Sequence, residues 1–148
     1  KNCYGVWESG YTSTEADPRG IEADGNLDGI YPDHLRQSDF AVENMTIVNN
    51  AANTTANVDR MQDVIKIRRG AKATITNALV KGSGGTIDLI DMNDSKGVGS
   101  ASSSISITHT LNFKNKLNGT LNTFTEPTTN TGADASLFTW SGYNFSSL

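Results

Sequence analysis

The sequence predicts an all-β protein, a right-handed parallel β-helix in which short strands wind into a stack of coils with variable loops. Three observations predict this fold: helical periodicity is nearly absent, two short apolar patterns alternate along the chain, and turn-forming residues fill the intervals. Strands that keep their order while the intervals change length are typical of a solenoid. A β-sandwich is the alternative, because it too combines short strands with Gly-rich turns.

Each of the two patterns predicts one strand per coil. The first is an Ile followed two residues later by an apolar residue, and it begins at Ile21, Ile65 and Ile87. The second has an Asn two residues after an apolar residue, in segments that begin at Val42 and Ile75. One coil alone cannot bury such side chains, whereas coils stacked about 4.8 Å apart can. We therefore expect the three isoleucines to face inward in one column, and Val42 and Ile75 in another.

The Asn of the second pattern predicts a corner. Asn44 and Asn77 occupy the same place in their segments, and Asn tolerates the left-handed backbone that a tight turn requires. We expect the two side chains to stack at equivalent corners of adjacent coils and to hydrogen-bond to each other or to the backbone. A looser copy of the pattern at residues 107–111 places His109 in the same row, as a variant of the Asn.

The chain of 148 residues has the size of a single domain. We expect coils in residues 1–117. We expect residues 118–148 to belong to the same domain, with a long irregular excursion over 120–135 followed by an aromatic tail that caps the last coil. Four aromatic residues form that tail: Phe138, Trp140, Tyr143 and Phe145.

Composition excludes several partners. Lys and Arg number 12 against 16 Asp and Glu, for a net charge of −4, which argues against nucleic acid because phosphate binding needs a basic face. No apolar run approaches the roughly 20 residues of a membrane-spanning helix. Cys3 is the only cysteine, so no disulfide forms within the chain.

Charged residues flank the first pattern. Strand alternation places five of them in two adjacent outward columns, with Glu22, Lys66 and Asp88 in one and Asp24 and Arg68 in the next. One reading is a ladder of stabilising ion pairs between neighbouring strands. The other is a sugar-acid site, in which Lys66, Arg68 or Arg69 binds or deprotonates a uronate.

Two further ligand sites are candidates. Trp7 and Tyr31 lie in N-terminal segments, where exposed aromatic rings could stack on sugars. Asp24 and Asp28 lie in a Gly-bearing stretch whose oxygen atoms could hold Ca²⁺, although the EF-hand pattern is incomplete and a solvated turn is the alternative. We expect no other cofactor.

The segments 20–26, 64–82 and 132–140 resemble the C-terminal half of large exported β-helix proteins of Bacteroidota. The resemblance spans most of the chain, and its motifs mark coils and a terminus. It implies an extracellular or outer-membrane surface location in a bacterium, often as a lipoprotein. It also implies that further N-terminal coils or neighbouring subunits complete the stack. Members mostly have no assigned activity, so the resemblance identifies no catalytic residue.

Two functions remain open. The first is a non-catalytic surface protein, an adhesin, filament component or glycan-binding accessory, because the sequence holds no converging catalytic set: two histidines and one cysteine fall short of a zinc site, and no Gly-x-Ser-x-Gly motif occurs. The second is a polysaccharide lyase or hydrolase for acidic glycans, suggested by Lys66, Arg68 and Arg69. The expected partner is a glycan or another cell-surface protein.

Overall fold

The computed structural model describes residues 3–7, 18–26, 37–50, 61–82 and 87–129, and every regular element within them is a β-strand. The strands in chain order are β1 (Cys3–Trp7), β2 (Ile21–Asp24), β3 (Asp39–Glu43), β4 (Met45–Asn49), β5 (Asp63–Arg68), β6 (Lys72–Gly82), β7 (Asp88–Asp91), β8 (Ser104–His109), β9 (Asn115–Asn118) and β10 (Thr123–Thr125).

The strands form two parallel sheets. Sheet A has the order β1-β4-β6-β8-β10, with β3 also paired to β6, and sheet B has the order β2-β5-β7-β9. From β2 onward the chain alternates between the sheets, with β3 and β4 forming one pass through sheet A, and each strand pairs with its counterpart one coil away. All pairings between the named strands are parallel. The expected parallel β-helix is confirmed, whereas a β-sandwich would be built from antiparallel sheets.

The hydrophobic core is assembled from small contributions by successive coils. No coil supplies more than a few large apolar side chains, so burial requires stacking. Nine isoleucine, leucine and methionine residues from β4 to β8 are at most 1% exposed: Ile47, Ile65, Ile67, Ile75, Leu89, Ile90, Met92, Ile105 and Ile107.

Both expected columns are present in part. Ile21 pairs with Ile65, and Val42 pairs with Ile75, which pairs in turn with Ile105. Ile65 and Ile75 are buried, while Ile21 and Val42 are half-buried. The apolar pattern therefore aligned these strands correctly.

The expected place of Ile87 in the first column is wrong, because Ile65 pairs with Ile90. Ile87 is nevertheless buried, at 2% exposure. The segment carries apolar residues in both phases of strand alternation, at Ile87 and Leu89 and again at Ile90 and Met92. Such a pattern fits more than one alignment of the strands, and the observed one places Ile90 opposite Ile65.

Asn44 and Asn77 stack as expected. The Asn77 Nδ2 donates a hydrogen bond to the Asn44 Oδ1 at 2.7 Å. Both residues have left-handed backbones, with φ of 55° and 56°, which Asn adopts more readily than most residues. On either side of this pair, the two arms of β6 follow β3 and β4. The asparagines therefore form the corner at which sheet A bends.

His109 does not extend this row. It pairs with Val80, three residues after Asn77. Ile75 and Ala78 align with Ile105 and Ile107, so β6 has one more residue at the corner than β8. The expectation that His109 replaces an Asn is wrong, because His109 lies beyond the corner.

The stack also continues beyond residue 117, where we expected an irregular excursion. β10 pairs with β8 in parallel, with Phe124 opposite Ile105. The Asn122 backbone N–H donates to the Ser103 carbonyl at 2.9 Å just before β10 begins. Residues 130–148, including the expected aromatic cap, lie outside the described residues, and the cap stays a prediction.

The Asn corner gives a stability prediction. Asn77→Ala forces a left-handed backbone on Ala and removes the amide contact, so we expect a loss of about 2–3 kcal/mol in unfolding free energy. Asn77→Gly tolerates the backbone and loses only the contact, so we expect a smaller loss of about 1–2 kcal/mol. Urea unfolding measures both, and equal stability of the three proteins would contradict a structural role for the corner.

Candidate functional site

The outer face of sheet B carries a cluster of ion pairs centred on Arg68. Its guanidinium contacts both oxygens of Asp24, with the Nη2–Oδ2 contact at 3.2 Å. It also contacts Glu22, and its Nη1 lies 3.4 Å from the Asp94 Oδ2. Because three carboxylates surround it, the Arg68 side chain is only 18% exposed. The hydrogen bond with Asp24 raises the pKa of Arg68 above its ordinary value, against the lowering effect of burial.

Lys66 forms a second ion pair on the same face. β5 and β7 place it opposite Asp91, and the Lys66 ammonium contacts the Asp91 carboxylate. Their side chains are 9% and 14% exposed. The other Asp91 oxygen accepts hydrogen bonds from the Asn93 backbone N–H at 2.9 Å and from the Asn118 amide at 3.0 Å. This ammonium is therefore held against a carboxylate that is itself fixed by two donors.

Asp88 was expected in the Lys66 column, and this placement is wrong. It pairs with Asp63 instead, three residues before the position that faces Lys66. Asp63 accepts from the Arg19 Nε at 2.8 Å, and Asp88 accepts from the Asn115 amide at 2.8 Å. Both Asp88 and Ile87 are displaced because β7 pairs with β5 three residues away from the expected alignment.

Arg69 lies at the turn that follows β5, with φ of 56°. Its Nη1 is 3.5 Å from the Asp24 Oδ2, and its Nε is 3.7 Å from the Asp94 Oδ1. Asp94 also accepts from the Lys96 backbone N–H at 2.8 Å. This hydrogen bond, aided by the attraction of Arg68 and Arg69, lowers the pKa of Asp94.

The structure thus brings together the predicted ligand residues Lys66, Arg68 and Arg69, and it places each against a carboxylate of the same chain. Asp24, the predicted calcium ligand, contacts two of these cations. Among the described residues, no group of three or more His, Cys, Asp or Glu side chains could hold a metal ion. The partner of Asp24 in the predicted calcium site, Asp28, lies outside the described residues, as do Tyr31 and the side chain of Trp7. Calcium binding and sugar stacking stay predictions.

A second cluster was missed by the sequence analysis. It is centred on the carboxylate of Glu126, which lies just after β10. His109 at the end of β8 and Lys116 in β9 both contact this carboxylate. The Glu126 Oε1 lies 2.7 Å from the His109 Nε2 and 2.9 Å from the Lys116 Nζ, which is 3.0 Å from the other carboxylate oxygen. The His109 Nδ1 lies 2.7 Å from the Leu111 carbonyl oxygen. The imidazole ring packs edge-on against the ring of Phe113, with 5.1 Å between the ring centroids.

These residues line a cleft of about 370 Å³, which we call the Glu126 cleft. Its described lining consists of Thr108, His109, Lys116, Glu126, Pro127 and Thr128. The hydrogen bond from Lys116, with a smaller contribution from His109, lowers the pKa of Glu126, although partial burial opposes this shift. Glu126 is therefore ionised at neutral pH.

The ionisable groups of the Glu126 cleft are paired with one another or with the backbone. Both ring nitrogens of His109 face acceptors of the chain, so neither is directed at a substrate as a general base would be. The described lining contains one carboxylate, whereas most glycosidases use two. No sequence motif marks the cluster, because its members come from three separate segments of the chain. The alternation of Thr123, Phe124 and Thr125 is the one signal that would have placed Glu126 at a strand end.

The fold is a parallel β-helix, and comparison with known proteins assigns its family. The chain belongs to the pectate-lyase-like beta helix domain family, whose model matches residues 3–143. Domains of this kind are typically extracellular and related to carbohydrate. Neither the curated proteins nor the solved structures contain a match. In the described part of the chain, no helix is long and apolar enough to cross a membrane.

The Arg68 cluster gives a second prediction. Arg68→Ala leaves Glu22, Asp24 and Asp94 with less compensating charge, so we expect a loss of about 1–3 kcal/mol in unfolding free energy. Lys81→Ala removes an exposed cation from β6 and serves as the control, with an expected change within about 0.5 kcal/mol. Urea unfolding at low salt measures both. If Arg68→Ala is as stable as its parent, the guanidinium has no structural role, and a role in ligand binding would gain support.

Acid sensitivity follows from the lowered pKa of Asp94. A carboxyl whose pKa is lower in the folded state contributes stability above its unfolded value, about 4, and loses it as the pH falls through the folded value. Asp94→Asn keeps an oxygen that can accept from the Lys96 N–H but does not titrate. We expect its unfolding free energy to fall less steeply below about pH 4 than that of the parent protein. Parallel profiles in a pH series of urea unfolding would contradict this.

Proposed function

We propose that this chain is a non-catalytic glycan-binding module, exported to the surface of a bacterium and acting as an adhesin, a filament component or an accessory to glycan capture. Its family membership and its resemblance to exported β-helix proteins of Bacteroidota support the location. A stack with parallel sheets offers a rigid and extended contact surface. The partner is then a glycan of a cell surface or of an extracellular matrix.

One observation carries the non-catalytic part of the proposal. The cations that would bind and deprotonate a uronate, Lys66, Arg68 and Arg69, each contact carboxylates of their own chain. Lys66 is also buried, with 9% of its side chain exposed. A base must reach the proton that it removes, and a cation already neutralised by a carboxylate contributes less to binding a second one.

A polysaccharide lyase for acidic glycans is the second candidate. It is favoured by the family description and by the three cations that share one face of sheet B. A lyase would require one of these cations to leave its carboxylate partner in the chain and to bind the carboxylate of a uronate instead.

Binding and turnover separate the two candidates. We expect the full chain to be retarded by a polysaccharide in affinity electrophoresis, with no unsaturated product or new reducing ends, with or without added Ca²⁺. The panel should contain both polyuronates and neutral polysaccharides. Turnover that disappears in Arg69→Ala, in a variant whose circular dichroism matches the parent, would support the lyase. Failure to bind any glycan of the panel would contradict the module.

A further inference from the structure

The Glu126 cleft shares no residue with the Arg68 cluster, yet it places charged groups around a defined space. We propose that it binds the hydroxyl groups of a neutral sugar residue. This inference rests on the proposed glycan binding and names both the site and the class of ligand.

Three segments of adjacent coils hold the cleft in shape. His109 ends β8, Lys116 lies within β9, and the segment that carries Glu126 follows β10. The Thr108 hydroxyl donates to the Pro127 carbonyl at 2.9 Å, which fixes this segment against β8. Because its walls are strands and a tethered segment, the cleft is preorganised, and binding needs little ordering of the protein.

The accessible groups suit a polyhydroxylated ligand. The Glu126 side chain is 32% exposed and the Lys116 side chain is 54% exposed. An ionised carboxylate accepts hydrogen bonds from hydroxyl groups, and an adjacent ammonium donates to hydroxyl oxygens. Neighbouring hydroxyls of one sugar could use both groups. The volume of about 370 Å³ is at the small end of the usual range for small-molecule sites, about 300–1,000 Å³.

Charge disfavours an acidic sugar at the same place. The carboxylate of a uronate would approach the ionised Glu126, and Lys116 and His109 already direct their nitrogens at that carboxylate. A second anion would lack a cation of its own, and two close like charges repel. The cleft therefore selects neutral sugars, in contrast to the uronates of the alternative reading of the charged face of sheet B.

His109 acts as a positioning residue. Only 10% of its side chain is exposed, and it joins Glu126 to the Leu111 carbonyl through its two ring nitrogens. Its contact fixes the orientation of the carboxylate, while Lys116 supplies the accessible cation.

The test compares variants of the full chain by calorimetric titration with the neutral polysaccharide that the panel identifies. Glu126→Gln keeps the shape of the side chain and removes its charge, so we expect about tenfold or greater loss of affinity, the size of one charged hydrogen bond. Lys116→Ala should weaken binding by about threefold to tenfold. Lys114→Ala removes an exposed cation two residues away, outside the cleft lining, and should leave affinity within about twofold.

A blocking variant covers the case in which Glu126→Gln disturbs folding. Thr128 is exposed and lines the cleft, so Thr128→Trp should fill it and abolish binding without changing the melting temperature. Neutral-glycan binding that survives Thr128→Trp and Lys116→Ala would overturn the cleft and leave the proposed function standing. Binding of polyuronates alone, lost in Arg69→Ala, would also overturn it. Failure of the parent chain to bind any glycan would overturn both.

Discussion

In-register stacking of parallel strands is the constraint on which the rest of this structure depends. Each residue lies beside its counterpart one coil away, about 4.8 Å distant, so every position must be compatible with a close copy of itself. Apolar counterparts such as Ile21 and Ile65 form a core. Polar counterparts need complementary partners, as the amides of Asn44 and Asn77 provide for each other. Charged counterparts either carry opposite charges, or each carboxylate accepts a hydrogen bond from a separate donor.

The pair formed by Asp63 and Asp88 illustrates the last case. Stacking places two carboxylates side by side, an arrangement that repulsion would disfavour. Arg19 donates to the first and Asn115 to the second, and both donors come from other coils. The donors on this sheet thus satisfy a requirement of stacking before they are available to a ligand. This is why a basic stretch in the sequence of a solenoid is weak support for a binding site.

Much of the fold could be predicted because local chemistry and the repeat agree. At Asn44 and Asn77, the flanking apolar residues, the left-handed backbone and the amide all require the same alignment. The Asp24–Arg68 pair followed from the alignment of Ile21 with Ile65. At Ile87 and Ile90 the apolar pattern fits either alignment, and the local sequence does not distinguish them. The resulting three-residue error also concealed the ion pair between Lys66 and Asp91.

The Glu126 cleft was beyond prediction for a related reason. Its position depends on β10, a three-residue strand in a Thr- and Asn-rich segment that lacks the apolar content of the earlier coils. Its residues also come from separate segments, and His109 lies opposite Val80, beyond the corner that the Asn pair forms. A site that arises where a repeat departs from its own pattern leaves no periodic trace in the sequence.

The topology also determines the order in which the coils unfold. Because the described strands pair only with those of adjacent coils, cooperativity passes from neighbour to neighbour, and the coil with fewest neighbours opens first. β9 and β10 each pair with one strand of the preceding coil among the described residues, and the walls of the cleft join them to β8. A molecule held between these walls would oppose their separation and so raise the free energy of local opening. Occupancy of the cleft would therefore be measurable as slower hydrogen exchange in β9 and β10.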